Sequence, residues 1–160
     1  MSKCDPLEEA FRIGNADRGT AGNAPSVVNI SASPIEQAML FALLECGCGL
    51  STDPARERLA TVYQQHPIPL GQWTAHADIA LVRAVGRREV RIAIELDGHE
   101  FHQRTKEQVE RDYSRDRALA RAGWIVVRFS GSEVWRDAGA CALEVAGILI
   151  DAISRIQEGR

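Results

Sequence analysis

The spacing of apolar residues changes several times along the chain, and each change marks an element. From Ser33 the spacing is helical: Ile35, Met39, Ala42, Leu43 and Cys46 follow a Ser33-Pro34-Ile35-Glu36 start, which has the form of a capping box with proline at the first helical position. This predicts a helix over 34–46, stopped at Gly47. Residues 59–65 read as a strand, which His66-Pro67-Ile68-Pro69-Leu70-Gly71 is expected to break, because proline cannot donate to a ladder. A second strand is predicted over 73–82, then a turn at Gly86-Arg87-Arg88. In a third strand over 90–96, Val90, Ile92, Ile94 and Leu96 share one face and Glu95 and Asp97 the other. A helix over 105–122 stopped by Gly123 and a fourth strand over 124–129 come next. A final helix over 138–156 carries a stripe of Cys141, Val145, Ile148, Leu149, Ala152, Ile153 and Ile156.

The order is therefore helix, three strands, helix, strand, helix, with no internal repeat. It predicts an α/β domain, a mixed central sheet flanked by helices on both faces with an extra helix at the C-terminus. Residues 14–32 are dense in Gly, Asn, Ala and Ser without a period, so 1–32 read as a flexible lead-in and 33–158 as one folded domain. A length of 160 residues fits a single core.

Composition narrows the class. With 45% apolar and 26% charged residues the chain is too rich in core formers for a disordered protein. No apolar run reaches the roughly 18 to 20 residues of a membrane span, and acids stand where a signal peptide would be apolar, so a cytoplasmic location is expected. Cys4, Cys46, Cys48 and Cys141 lack zinc-finger spacing and read as free thiols. The net charge of −3 is unevenly distributed: residues 83–128 carry eleven basic against eight acidic residues, whereas the flanking segments are net acidic. A basic face is the electrostatic requirement for a polyanionic partner, although a solvated helix face would give the same count.

The candidate chemistry lies in acids that interrupt strands. Asp78, in A-H-A-D-I-A-L-V, and Glu95, after three alternating apolar positions, occupy places where a charge is costly unless it is paired or metal-bound. A hairpin centred near residues 86–87 brings Asp78 opposite the 94–96 region. Two such carboxylates repel unless a cation separates them, and oxygen ligands suit Mg²⁺ or Mn²⁺ better than zinc. The alternative is that each acid pairs with an arginine of the Arg83, Arg87, Arg88, Arg91 cluster. His99 and His102 follow at the mouth of the strand, where they could move a proton or bind phosphate. On the next helix the 100° repeat sets Asp112 and Asp116 in the arc of Val109, Tyr113, Leu119 and Ala120. Asp112 could orient a ligand or a histidine of the 95–102 segment, and Asp116 could hold Arg128.

The ordered set S-P-I-E-Q, Q-H-P-I, A-D-I-A-L, I-E-L-D-G-H-E-F-H and R-D-R-A-L-A-R-A-G-W-I-V-V-R-F-S-G-S-E-V resembles the PD-(D/E)XK nuclease superfamily over residues 33–135. Within it, the set is similar to small bacterial domains akin to the very-short-patch mismatch-repair endonuclease. The resemblance implies a restriction-endonuclease-like core of order αβββαβ and Mg²⁺-assisted phosphodiester hydrolysis. It makes Asp78 and Glu95 the metal-holding acids together with the backbone carbonyl of Leu96, and Glu36 the first-helix glutamate that supports them. Glu36 is equally explained as the third residue of its capping box. The departure is Asp97, which stands where the family has lysine; Lys106, Gln108, His99 or His102 could supply its function.

The expectation is thus a metal-dependent endonuclease acting on DNA, with Asp78, Glu95 and Asp97 as ligands, a histidine assisting proton transfer and Arg and Lys side chains on phosphate. The alternatives are a nucleic-acid-binding module that has lost hydrolysis, or a subunit that reaches DNA through a helicase or a defence complex. A homodimer is compatible with either. No DNA-reading motif stands beside the core, and no membrane partner is expected.

Overall fold

The computed structural model describes residues 33–50, 58–97 and 105–159. Its elements in chain order are α1 (Pro34–Glu45), β1 (Gly49–Leu50), β2 (Thr61–Leu70), β3 (Trp73–Val85), β4 (Arg88–Asp97), α2 (Lys106–Arg121), β5 (Ile125–Ser130) and α3 (Gly131–Gln157). The strands form one mixed sheet in the order β1-β2-β3-β4-β5. The β2–β3 and β3–β4 pairs are antiparallel; β1–β2 and β4–β5 are parallel. The result is a mixed α/β architecture with a five-stranded sheet and three helices among the described residues. No helix among them is long and apolar enough to cross a membrane.

Two apolar layers hold the sheet. On one face Met39, Leu40 and Leu43 of α1 and Val134, Val145 and Leu149 of α3 pack with Val62, Ile79, Leu81, Ile92, Ile94 and Phe129. Each fully buried Leu or Ile there contributes roughly 1.5 to 3 kcal/mol. On the other face a smaller cluster joins Leu119 of α2 and Trp124 to Ala75, Ala77, Ala80, Ala93 and Ile68. The side chains that β3 and β4 bury on this face are small, Ala75, Ala77, Ala80 and Ala93, and Arg115 of α2 reaches over them to the strands.

Local signals account for most of the boundaries. Ser33 caps α1, and Gly47 ends it at φ 89. Thr105 and Gln108 form a reciprocal capping box for α2, and Gly123, at φ 81, follows its C-cap Ala122. Cys46, Cys48 and Cys141 are free thiols, and burial pushes that of Cys48 up to about 11.

Four expectations need correction. The chain is not broken at His66: β2 runs on to Leu70, paired with β3 to the turn between Leu70 and Trp73. Pro67 and Pro69 are tolerated because they share one parity, so both missing N–H groups fall on the edge that, among the described residues, β1 does not cover. That short β1 was not foreseen. The last helix begins at Gly131, with a Ser130–Glu133 capping box, and breaks at Asp137 (φ −163). Asp137 then recaps the chain by accepting from Ala140 N at 2.8 Å, so only the segment after the break matches the expected 138–156. Finally, Tyr113 and Ala120 are exposed rather than inward, and Leu119 alone is buried on α2.

Candidate functional site

The β3–β4 hairpin is laddered from its turn as far as Ile79↔Ile94. Continuing that register sets Asp78 directly opposite Glu95, but no rung forms there. Beyond this point β3 stays with β2, while Glu95, Leu96 and Asp97 pair with Arg128, Phe129 and Ser130 of β5. The two central strands therefore fork, with one carboxylate on each prong. Asp78 Oδ2 accepts from Leu96 N at 2.7 Å, taking the place of a ladder carbonyl.

The same level is distorted on the other side of β3. Gln65, the residue opposite Asp78, has φ 45 and is missing from an otherwise continuous ladder. Before it Val62 packs on the larger core, and after it Ile68 packs on the smaller one; on β3, Ala75 and Ala77 pack on the smaller core, whereas Ile79 and Leu81 pack on the larger. The pleat thus reverses on both strands at Gln65 and Asp78. A left-handed residue other than glycine costs roughly 1 to 2 kcal/mol, and such strain persists where surrounding contacts over-determine it.

Those contacts are polar. Gln65 Nε2 donates to Glu36 Oε2 at 2.9 Å, and Gln65 also hydrogen-bonds the Asp78 carboxylate. Glu36 is joined at its other oxygen by Ser33 Oγ, at 3.0 Å. Burial raises the pKa of Asp78 above the usual aspartate value; the Leu96 N–H draws it down, the charges of Glu95 and Glu36 raise it, and Gln65 lowers it. Replacing Gln65 by alanine keeps the strained backbone and removes the amide. Gln65→Ala is therefore expected to lose about 1 kcal/mol of stability and to raise the Asp78 pKa further, as read by carboxyl carbon NMR titration.

On the far side of the fork stands Arg115 of α2. Its Nη2 donates to Glu95 Oε1 at 2.8 Å and to the carbonyl of His76 on β3 at 2.5 Å. Glu95 raises the guanidinium pKa above its ordinary value, burial opposing. The ion pair is sheltered, at 23% and 13% side-chain exposure. At the next residue of α2, Arg128 of β5 donates to Asp116 Oδ1 at 2.6 Å and ties α2 to the sheet.

The expected residues are distributed as follows. Asp78 and Glu95 stand on the two prongs of the fork, Glu36 is linked to Asp78 through Gln65, and half-buried Asp97 ends β4 beside them, its carbonyl 3.5 Å from the position a Cβ on Gly131 would take. Leu96 meets Asp78 through its N–H. Gln108 is engaged in the α2 capping box, with Oε1 accepting from Thr105 N at 2.8 Å, and Lys106 is exposed in the first turn of that helix. Asp112 is half-buried on α2. His99 and His102 lie outside the described residues. Among the described residues, no three His, Cys, Asp or Glu side chains meet closely enough to form a metal-ligand set. The arginine cluster considered as a partner for the acids lies elsewhere: Arg91 pairs with Glu89, Arg83 donates to the Arg58 carbonyl, and Arg87 and Arg88 line a depression at the hairpin tip.

Sequence reasoning missed Arg115 and Gln65. The position of Arg115, four residues before Leu119, was a signal for an inward-facing side chain. No sequence pattern announces a glutamine at positive φ.

Neither a curated protein nor a solved structure matches the chain. The family model REase_MTES_1575 matches residues 63–149, more than half of the chain, from Tyr63 on β2 through the fork, α2 and β5 into α3. The chain belongs to this restriction endonuclease-like family and carries a nuclease-type domain.

Proposed function

We propose that the domain hydrolyses phosphodiester bonds in DNA with the help of a divalent cation held at the fork by Asp78 and Glu95. The observation that carries this reading is the pair of carboxylates one step past the last β3–β4 rung, in a protein whose family is nuclease-like. Restriction endonuclease-like domains generally use divalent metals. The donors fit one: they are hard carboxylate oxygens from two rigid strands, and Asp78 is crowded by two like charges, which a cation would relieve. When bound, such an ion supplies Lewis-acid polarisation of a phosphate oxygen and a water of lowered pKa.

The chain's own residues would do the rest. Leu96 N–H and the Gln65 amide orient Asp78, and Gln65 brings Glu36 to the same level. In hydrolysis a water gives up a proton to solvent as its oxygen bonds to phosphorus, the bond to the leaving oxygen breaks, and that oxygen takes up a proton, for which His99 and His102 are the candidate donors. Basic side chains such as Lys106 would engage neighbouring phosphates. The finer likeness to very-short-patch repair domains rests on the ordered set of motifs over residues 33–135.

Supercoiled and single-stranded DNA incubated with the purified protein in Mg²⁺, Mn²⁺ or EDTA tests the reading: cleavage that EDTA abolishes is expected. The observation favouring a second reading is Asp97, a carboxylate where the family's lysine would stand. A non-catalytic DNA-binding module, or a subunit that cuts only with a helicase or defence-complex partner, would bind DNA and leave it intact in every condition.

A further inference from the structure

The fork needs a brace, because its prongs have left the ladder that held them together. Arg115 spans it: a single guanidinium nitrogen binds the backbone of β3 at His76 and the side chain of β4 at Glu95. Its helix is fixed independently, by the Asp116–Arg128 pair and by buried Leu119. The acids it faces, Glu95 directly and Asp78 and Asp116 through charge, raise its pKa, so it remains a permanent cation. Position 97 supplies a further negative charge rather than a positive one. The charge that offsets this end of the sheet therefore comes from the helix, at Arg115.

We propose that Arg115 is a positioning residue for the reaction at the fork, holding Glu95 at a fixed distance from β3 and setting the net charge against which a divalent cation binds. The proposal rests on the nuclease reading above. Two effects of opposite sign follow from removing the guanidinium. A divalent cation no longer meets a like charge beside Glu95, so it binds more tightly. Glu95 loses its anchor, so turnover falls although the metal is present. A purely structural ion pair would not tighten metal binding.

The test uses the full chain and its Arg115→Ala, Arg115→Gln and Arg115→Lys variants, checked for folding by circular dichroism, with free Mn²⁺ counted by electron paramagnetic resonance and cleavage of supercoiled DNA followed in parallel. Arg115→Ala is expected to bind Mn²⁺ about tenfold more tightly and to lower kcat by about a hundredfold, with KM for DNA changed far less. Arg115→Lys, which keeps the charge on a shorter reach, should restore Mn²⁺ affinity to the unmutated value and recover part of kcat. Arg115→Gln, which keeps a donor for the His76 carbonyl, should behave like alanine and stands in for it if alanine does not fold. If the unmutated protein binds Mn²⁺ and cuts DNA while the alanine and glutamine variants do both equally well, Arg115 is a bystander and the proposal fails alone. If the unmutated protein neither binds Mn²⁺ nor cuts DNA, the nuclease reading fails and takes this one with it.

Discussion

Asp78→Asn is expected to melt higher than the unmutated protein at neutral pH and to cut DNA at least about a thousandfold more slowly. Both effects have one origin. The Asp78 carboxylate is half-buried, its pKa raised by burial and by Glu95 and Glu36. A carboxyl whose pKa is raised on folding favours the folded state in its protonated form. That contribution is full below the unfolded pKa and is lost as pH rises through the folded one. Asparagine is neutral throughout and can still accept from Leu96 N. Its advantage is therefore absent at pH 3, opens as pH climbs through the Asp78 titration, and is constant above it. Thermal midpoints of the two proteins across that range measure the gap, and the cleavage assay measures the loss. Equal midpoints at pH 7 would mean that the charges at the fork impose no strain on the fold.

The largest loss of stability is expected away from the site, at Leu149. This residue of α3 is fully buried in the larger core, where α3 packs beside α1 over the sheet. Leu149→Ala removes apolar contacts that the surrounding rigid strands cannot close around, and should cost about 3 kcal/mol. At about 3 °C per kcal/mol for a domain of this size, the midpoint falls by roughly 10 °C. Leu143, six residues earlier on the same helix and 66% exposed, is the internal control: Leu143→Ala should change stability by less than about 0.5 kcal/mol. Chemical denaturation of both variants decides between a core role for this helix and mere surface attachment.

The elements with strong local chemistry were legible in the amino-acid order. The capping residues Ser33 and Thr105, the stops at Gly47 and Gly123, and the strict alternation from Val90 to Leu96 each specify an element with little help from the rest of the chain. Asp78 and Glu95 stood out because a charge inside a strand needs an explanation. What could not be read depends on tertiary placement. Proline at 67 and 69 signals a break unless one knows that β1 is too short to cover that edge. The reversal of the pleat at Gln65 makes the apolar pattern of β2 change face midway, which imitates a strand end. Arg115 reads as one of several arginines on a polar helix until the helix is laid across β3 and β4. Four nearer arginines, Arg83 to Arg91, were the more obvious partners by distance along the chain, yet their end of the hairpin points away from the acids.

That geometry makes the hairpin tip a gauge for the chemistry. Val85 pairs with Arg88 across a two-residue turn, Gly86-Arg87, and Gly86 takes φ 62, which a β-branched side chain would resist. Seven paired positions separate this turn from the fork, a span of roughly 24 Å at about 3.4 Å per residue. Adding one residue at the tip would slide β4 by one position against β3, carry Ile94 to the place opposite Asp78, and turn Val90, Ile92 and Ile94 out of the larger core. Which side chain meets Asp78 is thus decided by the length of a solvent-exposed turn that never approaches it. In this chain a change in the residues of that turn leaves the two acids in register, whereas a change in their number does not.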